Sequence, residues 1–560
     1  MYISWSIWQS FRIFSEFRFK LARNKTFYWG AVRILLVPAF AFFSTVIHAD
    51  NGGGDRQAFE SAATVNVYLN YQSFADAGFP ESFDEQILQR ATRRAIDSWV
   101  QISGMNLNLV YKGLDNGKTD ASDGEILIRG VEVPSSGTIC PLASASLLTG
   151  RSSITFYRRC PSGNLLNWFV FPDTSSSTYN YLGVLLHEMG HSIGLNHNSG
   201  NHLRTVMNVA NRGQNLYGPH IEDVEDVVEI YGVREKQDVK VKWSLDQGLS
   251  WLDVPAQISS IGSATSTMPV SVNRDNDRII MFFTRTNKKP AYIVSDPAAE
   301  QWGNTHVFGG ERSIYGTVGH GYDNEYMMAW VDQENNNRIR IFRTADATET
   351  WELRHPPATS NAAGTPAIHK LSANTWILVY PKLDTESPSA GLESGRIVSR
   401  ITTDDGQTWG PEKELYSGTN FISVRGVTVT SDGPDHIRIG FSQASNGFHS
   451  TTGQPLASSI ITMLAHLDEN NELKQDGWGR NTSVRSNNEP AFTKTVQTFI
   501  LGYRGDNSEI ITRTASEENS SSALTWRNKR LPVSKNQIVG PTVAARRNTD
   551  FVFLFYLESN

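Results

Sequence analysis

Between residues 240 and 560 the chain repeats itself. Tryptophans stand at 251, 302, 351, 409, 478 and 526, a spacing of roughly 55 residues. Two of them close a shared pattern, "SLDQGLSW" (244–251) and "TTDDGQTW" (402–409), and "TADATETW" (344–351) is a decayed copy. In this pattern the Asp and the Gly make a tight hairpin turn and the Trp packs beneath it. The apolar stretches "RIIMFFTR" (278–285), "EYMMAWVD" (325–332), "TWILVYPK" (375–382), "DHIRIGFSQ" (435–443), "TFILGYRG" (498–505) and "DFVFLFYLE" (550–558) keep step with the turns. Short segments such as "MPVSV", "TPAIH", "EPAFT" and "GPTVA" precede them. The last unit lacks a turn of its own, and the first turn, at 244–251, lacks strands before it. Each supplies what the other lacks, so the two ends of the repeat are expected to pair and close a ring. The expected fold of this half is an all-β propeller of six blades.

The turn pattern resembles the Asp-box, or BNR repeat, of sialidase-like propellers. That family binds the substrate carboxylate with three arginines. Arg312, Arg425 and Arg485 each precede a candidate inner strand and could supply such a triad, but they read as ordinary surface arginines. The family's early Arg-Ile-Pro segment is absent. The resemblance therefore implies a binding platform that docks a protein, a glycan or a glycoprotein.

A second feature lies upstream. The chain has 13 histidines, and "LLHEMGHSIGLNH" (185–197) holds three of them within eleven residues. Leu182, Leu185, Leu186, Met189 and Ile193 recur at helical spacing, which predicts a helix over 181–193. His187 and His191, at i and i+4, leave one face together. Gly194 stops the helix, so the chain can bend back and deliver His197 as a third metal ligand. Three protein ligands leave a fourth position for water, the pattern of a catalytic zinc site. Glu188, one step round the helix, is placed to take a proton from that water.

These residues resemble the metzincin metallopeptidases, and within them the matrixins, which carry HExxHxxGxxH followed by a methionine turn. Met207, in "RTVMN", stands at the matching position. "AIDSWVQISGMNLNLVY" (95–111) resembles the family's first helix running into a strand, "GEILIRGVEV" (124–133) the next strand, and "IEDVEDVVEIYG" (221–232) the closing helix. The resemblance implies an α+β metzincin (zincin-like) catalytic domain. With it would come one Zn2+ ion held by His187, His191 and His197, Glu188 as catalytic base, and Gly194 and Met207 in structural roles. The implied activity is that of a secreted zinc-dependent endopeptidase (a metalloprotease) hydrolysing peptide bonds in a protein substrate. No Met-x-Tyr follows Met207, and Tyr217 is a weak counterpart of the tyrosine that some metzincins place near zinc. The loop "GLDNGKTDASDG" (113–124), with Asp115, Asp120 and Asp123, is either a solvated acidic turn or a structural ion site, for Ca2+.

The first 49 residues are basic and end in the apolar run "ILLVPAFAFFSTVI" (34–47) followed by "HAD". They read as a signal peptide cleaved near Ala49–Asp50. The run is shorter than the roughly 20 residues a spanning helix needs, so no stable membrane anchor is expected. The protein is expected outside the cell, or in the periplasm of a Gram-negative bacterium. In that setting Cys140 and Cys160, the only cysteines, are expected as a disulfide, with two buried thiols as the alternative. A net charge of −6 without a basic stripe argues against nucleic acid. The expected multidomain layout is signal peptide 1–49, metallopeptidase domain 50–234 and propeller 235–560. The alternative function is an exported sialidase-like protein that binds or cleaves glycans.

Overall fold

The computed structural model describes residues 55–559 except 82, 103, 135–139, 171–178, 198–204, 209–218, 233–236, 254–269, 275–277, 298, 300, 314, 333–336, 347–349, 355–361, 384–394, 419–425, 432–435, 444–458, 486–489, 497, 506–508, 517–523, 534–539 and 546–549. The expected signal peptide, Tyr217 and Arg425 lie outside the described residues.

Before residue 233, five strands form one sheet: β1 (Thr64–Asn70), β2 (Asn108–Leu114), β3 (Glu125–Val131), β4 (Ala143–Leu148) and β5 (Arg151–Tyr157). Their order is β2-β1-β3-β5-β4. β1 runs parallel to β2 and β3, β3 runs parallel to β5, and β4 is antiparallel to β5. Parallel neighbours need a crossover. Helices α1 (Tyr71–Asp76) and α2 (Glu85–Asp97) supply the one between β1 and β2. Helix α3 (Tyr181–Ser192) follows the sheet, and α4 (Ile221–Tyr231) ends this part of the chain.

Helix α3 is apolar on most of its surface because almost every residue in it is buried. Asn180 caps it, its side-chain oxygen accepting from the Leu182 and Gly183 N–H groups. Trp99, fully buried, donates its indole N–H to the Leu186 carbonyl at 3.1 Å and so ties the end of α2 to α3. Phe74, Phe156, Trp168 and Tyr181 pack as one aromatic cluster between the sheet and the helices. Cys140 and Cys160 are joined by a disulfide, with Cα atoms 4.6 Å apart.

From residue 237 onward the chain forms six four-stranded antiparallel sheets. Blades 1 to 5 span 271–307, 318–354, 367–418, 427–485 and 491–533. The sixth combines Thr542–Ala545 and Val552–Ser559 with Gln237–Ser244 and Leu252–Asp253 from the start of the repeat. The closing ladder runs from Val552 opposite Ser244 to Ser559 opposite Gln237. The first strands of the blades touch in succession, and the first also meets the sixth. The expected six-bladed propeller and its closure by the two ends are both present.

The Asp-box turns hold themselves together by side chains. Ser244 donates to Asp246 and accepts from the Gly248 N–H, while Asp246 accepts from the backbone and hydroxyl of Ser250. Thr402, Asp404, Gly406 and Thr408 repeat this arrangement. Gly248 and Gly406 have φ of 81° and 77°, which favours glycine. In the copy without that glycine, hydrogen bonds from Thr344 and Thr350 still hold the Asp346 carboxyl down to about 2. Trp251 donates its indole N–H to Thr512 Oγ1 at 2.9 Å, so a box in blade 6 also ties it to blade 5.

Phe553 and Phe555 are fully buried on the closing strand, packed with Val239 and Val241 across the ladder. Phe555→Ala is expected to lower unfolding free energy by roughly 3–5 kcal/mol, read as a shifted denaturant midpoint. An unchanged midpoint would mean that the ring does not depend on this seam.

Candidate functional site

The C-terminal half of α3 and the chain after it bring three imidazoles to one point. The Nε2 atoms of His187, His191 and His197 are 3.1, 3.1 and 3.2 Å apart. Nitrogens about 2.0–2.1 Å from a tetrahedral ion stand about 3.3 Å from one another, so this triangle fits a zinc ion. The far side of two rings is fixed as well. His187 Nδ1–H donates to the Val206 carbonyl and His191 Nδ1–H to the Leu195 carbonyl, both at 2.7 Å. A carbonyl only accepts, so the proton sits on Nδ1 and the Nε2 lone pair faces the common point. His187 is buried and the other two are half-buried, which leaves the triangle open on one side.

Gly194 has φ of 101°, and a Cβ there would sit 1.7 Å from the Arg56 carbonyl oxygen. That carbonyl crosses the turn directly, and the Arg56 N–H donates to the Gly194 carbonyl at 3.0 Å. The bend that carries His197 back therefore requires glycine twice over. Met207 is fully buried under the helix, and a Cβ on Gly190 would meet its sulfur at 2.3 Å. Met207 thus packs where the helix has no side chain. Glu188 is buried beside the ligands.

Asp223 was not among the expected site residues. Its carboxylate accepts from the backbone N–H groups of Val206, Met207 and His220. It thereby joins the first turn of α4 to the segment under the histidines. Burial pushes its carboxyl up to about 7 against those donors. The signal was in the sequence: an acid three residues after His220, the N-cap of α4, completes a capping box.

Other expected positions resolve as follows. Arg312 pairs with Glu225 of α4 at 2.7 Å, so its charge is engaged outside the ring's centre. With Arg425 and the Arg485 side chain undescribed, no arginine triad is assembled among the described residues. In the 113–124 loop, Asp120 accepts from the Ala121 N–H and the Ser153 hydroxyl. No helix among the described residues is long and apolar enough to cross a membrane.

The first strands of all six blades enclose a central cavity of 180 Å3. Among the described residues its lining mixes small apolar side chains with neutral hydrogen-bonding groups and contains no Asp, Glu, Lys or Arg. His320 and His369, from blades 2 and 3, lie ring to ring at 3.8 Å. His320 Nδ1 accepts from the Lys370 N–H at 3.0 Å, and His369 Nε2 pairs with Ser431 Oγ at 2.7 Å. His369 Nδ1 is buried without a hydrogen-bond partner among the described residues. Burial holds His369 down to about 4, and burial, then His369 and Lys370, hold His320 well below its usual value. Both rings are neutral at pH 7.

No protein-family model matches this chain. No curated protein matches its sequence. Among solved structures, it is similar to the GH93 alpha-L-arabinofuranosidase of Fusarium graminearum in complex with arabinobiose, at 11% identity and a TM-score of 0.37, over 52% of this chain and 92% of that one. The fucose-recognising lectin of Aleuria aurantia, a six-bladed propeller, matches at 10% identity and 0.37, over 51% and 85%. A Hadza microbial sialidase matches at 11% and 0.35, over 54% and 68%. These likenesses correct the zinc endopeptidase reading, and with it the peptidase class and the protein substrate. The three structures named here are an arabinofuranosidase, a lectin and a sialidase, and none is a peptidase. The physical reason is that a ligand set specifies where a metal sits and not which bond is presented to it.

Asp223→Ala leaves three backbone N–H groups without their acceptor. It is expected to cost about 1–3 kcal/mol in a denaturant titration; an unchanged midpoint would mean that this carboxylate does not hold the segment. Separately, a histidine with a depressed folded-state pKa stabilises fully above its unfolded value of about 6.5 and loses that contribution as pH falls. Stability should therefore drop between pH 6.5 and about 4, by up to about 3 kcal/mol from His369. Melting curves of His369→Gln should show a flatter pH dependence; an equal slope would place the titration elsewhere.

Proposed function

We propose that this chain is an exported glycan-binding protein, secreted or periplasmic, whose propeller takes a terminal neutral sugar in its central cavity. The observation that carries this reading is the His320–His369 pair, with the buried Nδ1 of His369 that has no hydrogen-bond partner among the described residues. A sugar hydroxyl is a donor and acceptor of the size that would satisfy that nitrogen. Thr428, Thr493 and Asn273 add neutral partners, and Phe492 adds an apolar surface. The described lining is uncharged, which suits a neutral sugar better than a sialic acid, whose carboxylate calls for arginine.

The finer domain assignment is part of the same reading. Residues 50–234 are taken as an α+β metzincin-like domain preceding a sialidase-like propeller at 235–560. Its support is the histidine triangle, the buried Met207 and the mixed sheet beside α3. In this reading His187, His191 and His197 hold one zinc ion, and Glu188 holds or releases a proton beside it. Zinc bound there supplies Lewis acidity, which makes a nearby water easier to deprotonate.

The test is binding of the full-length protein to a panel of neutral sugars that includes arabinobiose and methyl fucoside, read by calorimetry. Binding by the wild type and at least tenfold weaker binding by a folded His369→Ala variant are expected. No binding to any neutral sugar, or unchanged affinity in the variant, would remove the proposal. Release of reducing sugar would convert it to a glycosidase.

A further inference from the structure

A second convergence of metal-ligating side chains lies on blade 4, outside both sites above. His436 and His466 are directly opposite each other on antiparallel strands His436–Gln443 and Ser459–Leu467. Opposed residues share a face, and their rings are 5.5 Å apart. The third strand, Leu473–Arg485, contributes Asp476 at a register irregularity: Ala465 faces Gln475 while Leu464 faces Gly477. A bulge of this kind re-aims a side chain that a regular ladder would leave elsewhere. Asp476 Oδ1 is 2.8 Å from His466 Nδ1, and Oδ2 is 3.9 Å from His436 Nε2.

We propose that His436, His466 and Asp476 form a second divalent-metal site, of the zinc class, clipping together three strands of blade 4. One ligand atom from each residue lies within 4.8 Å of the others. Two imidazoles and a carboxylate are a donor set for zinc and its first-row neighbours rather than for calcium, which takes oxygen. The three side chains are partly exposed, so closure by about 1 Å to bonding distance is a matter of side-chain rotation and leaves further positions to water. Lys474, opposite His466 in the ladder, pairs with Glu472 and Asp468 at 2.7 and 3.2 Å. It does not fill the place of the cation. The site is independent of the glycan reading and of the three-histidine centre.

The test is zinc stoichiometry of the chelator-stripped full-length protein, by equilibrium dialysis with metal analysis. With His191→Ala and His197→Ala together, one equivalent of zinc should remain. With His436→Ala and His466→Ala together, the protein should bind one equivalent fewer than the wild type. Asp476→Asn, added to the first variant, should weaken the remaining binding at least tenfold. If the first variant does not fold, the wild type compared with His466→Ala alone answers the same question through a loss of one equivalent. Zinc content unchanged by the blade 4 substitutions would overturn the proposal and leave a histidine–aspartate ion pair. Failure of the three-histidine centre is distinguishable, since the wild type would then hold a single equivalent that the blade 4 substitutions remove.

Discussion

The ladder between Val552–Ser559 and Gln237–Ser244 is the interaction on which the larger part of this molecule depends. A propeller blade alone exposes two faces that it cannot bury, and a chain of blades exposes two ends as well. Pairing the last strands with the first removes both ends at once. It also makes closure a contact between residues some three hundred positions apart. Loop entropy must be lost before that contact is gained, so it is made by aromatic and β-branched residues buried to completion. The central cavity exists because of this seam, since its lining comes from the first strand of every blade.

The three-histidine centre depends on a different constraint, the close approach of backbone to backbone around α3. Gly190 admits Met207, and Gly194 admits the Arg56 carbonyl. Carbonyls of Val206 and Leu195 then orient two imidazoles from behind. Asp223 secures the Val206–Met207 segment from below through α4. α4 ends at Tyr231, and the next described strand, Gln237–Ser244, already belongs to the closing blade. The ion pair from Glu225 of α4 to Arg312 before blade 2 adds a second tie between the two parts.

Much of the local structure could be read from residue patterns. Helix α3 follows from the spacing of Leu182, Leu185, Leu186 and Met189, and its stop from Gly194. The six-blade count follows from alternating apolar stretches and Asp-box turns whose hydrogen bonds are local in sequence. Long-range relations were less accessible. Arg312 was a candidate for the ring's centre because it precedes an inner strand, yet a helix far upstream supplies Glu225 as its partner. His320 and His369 carry no motif, and only stacking of neighbouring blades brings their rings to 3.8 Å. The histidine signature was read as far as peptide-bond hydrolysis, which goes beyond what a ligand set specifies.

The sequence by itself determined the periodic elements, the ring closed by its two ends, the cysteine pair and the convergence of His187, His191 and His197. Each of these rests on short-range spacing or on a repeat that has one way to bury its faces. Only the tertiary structure decided which side chains share the central cavity and that His436, His466 and Asp476 meet on one blade. Those meetings depend on strand register and on a single bulge. Moving a strand by one residue turns each of its side chains to the opposite face, and spacing along the chain does not record that choice.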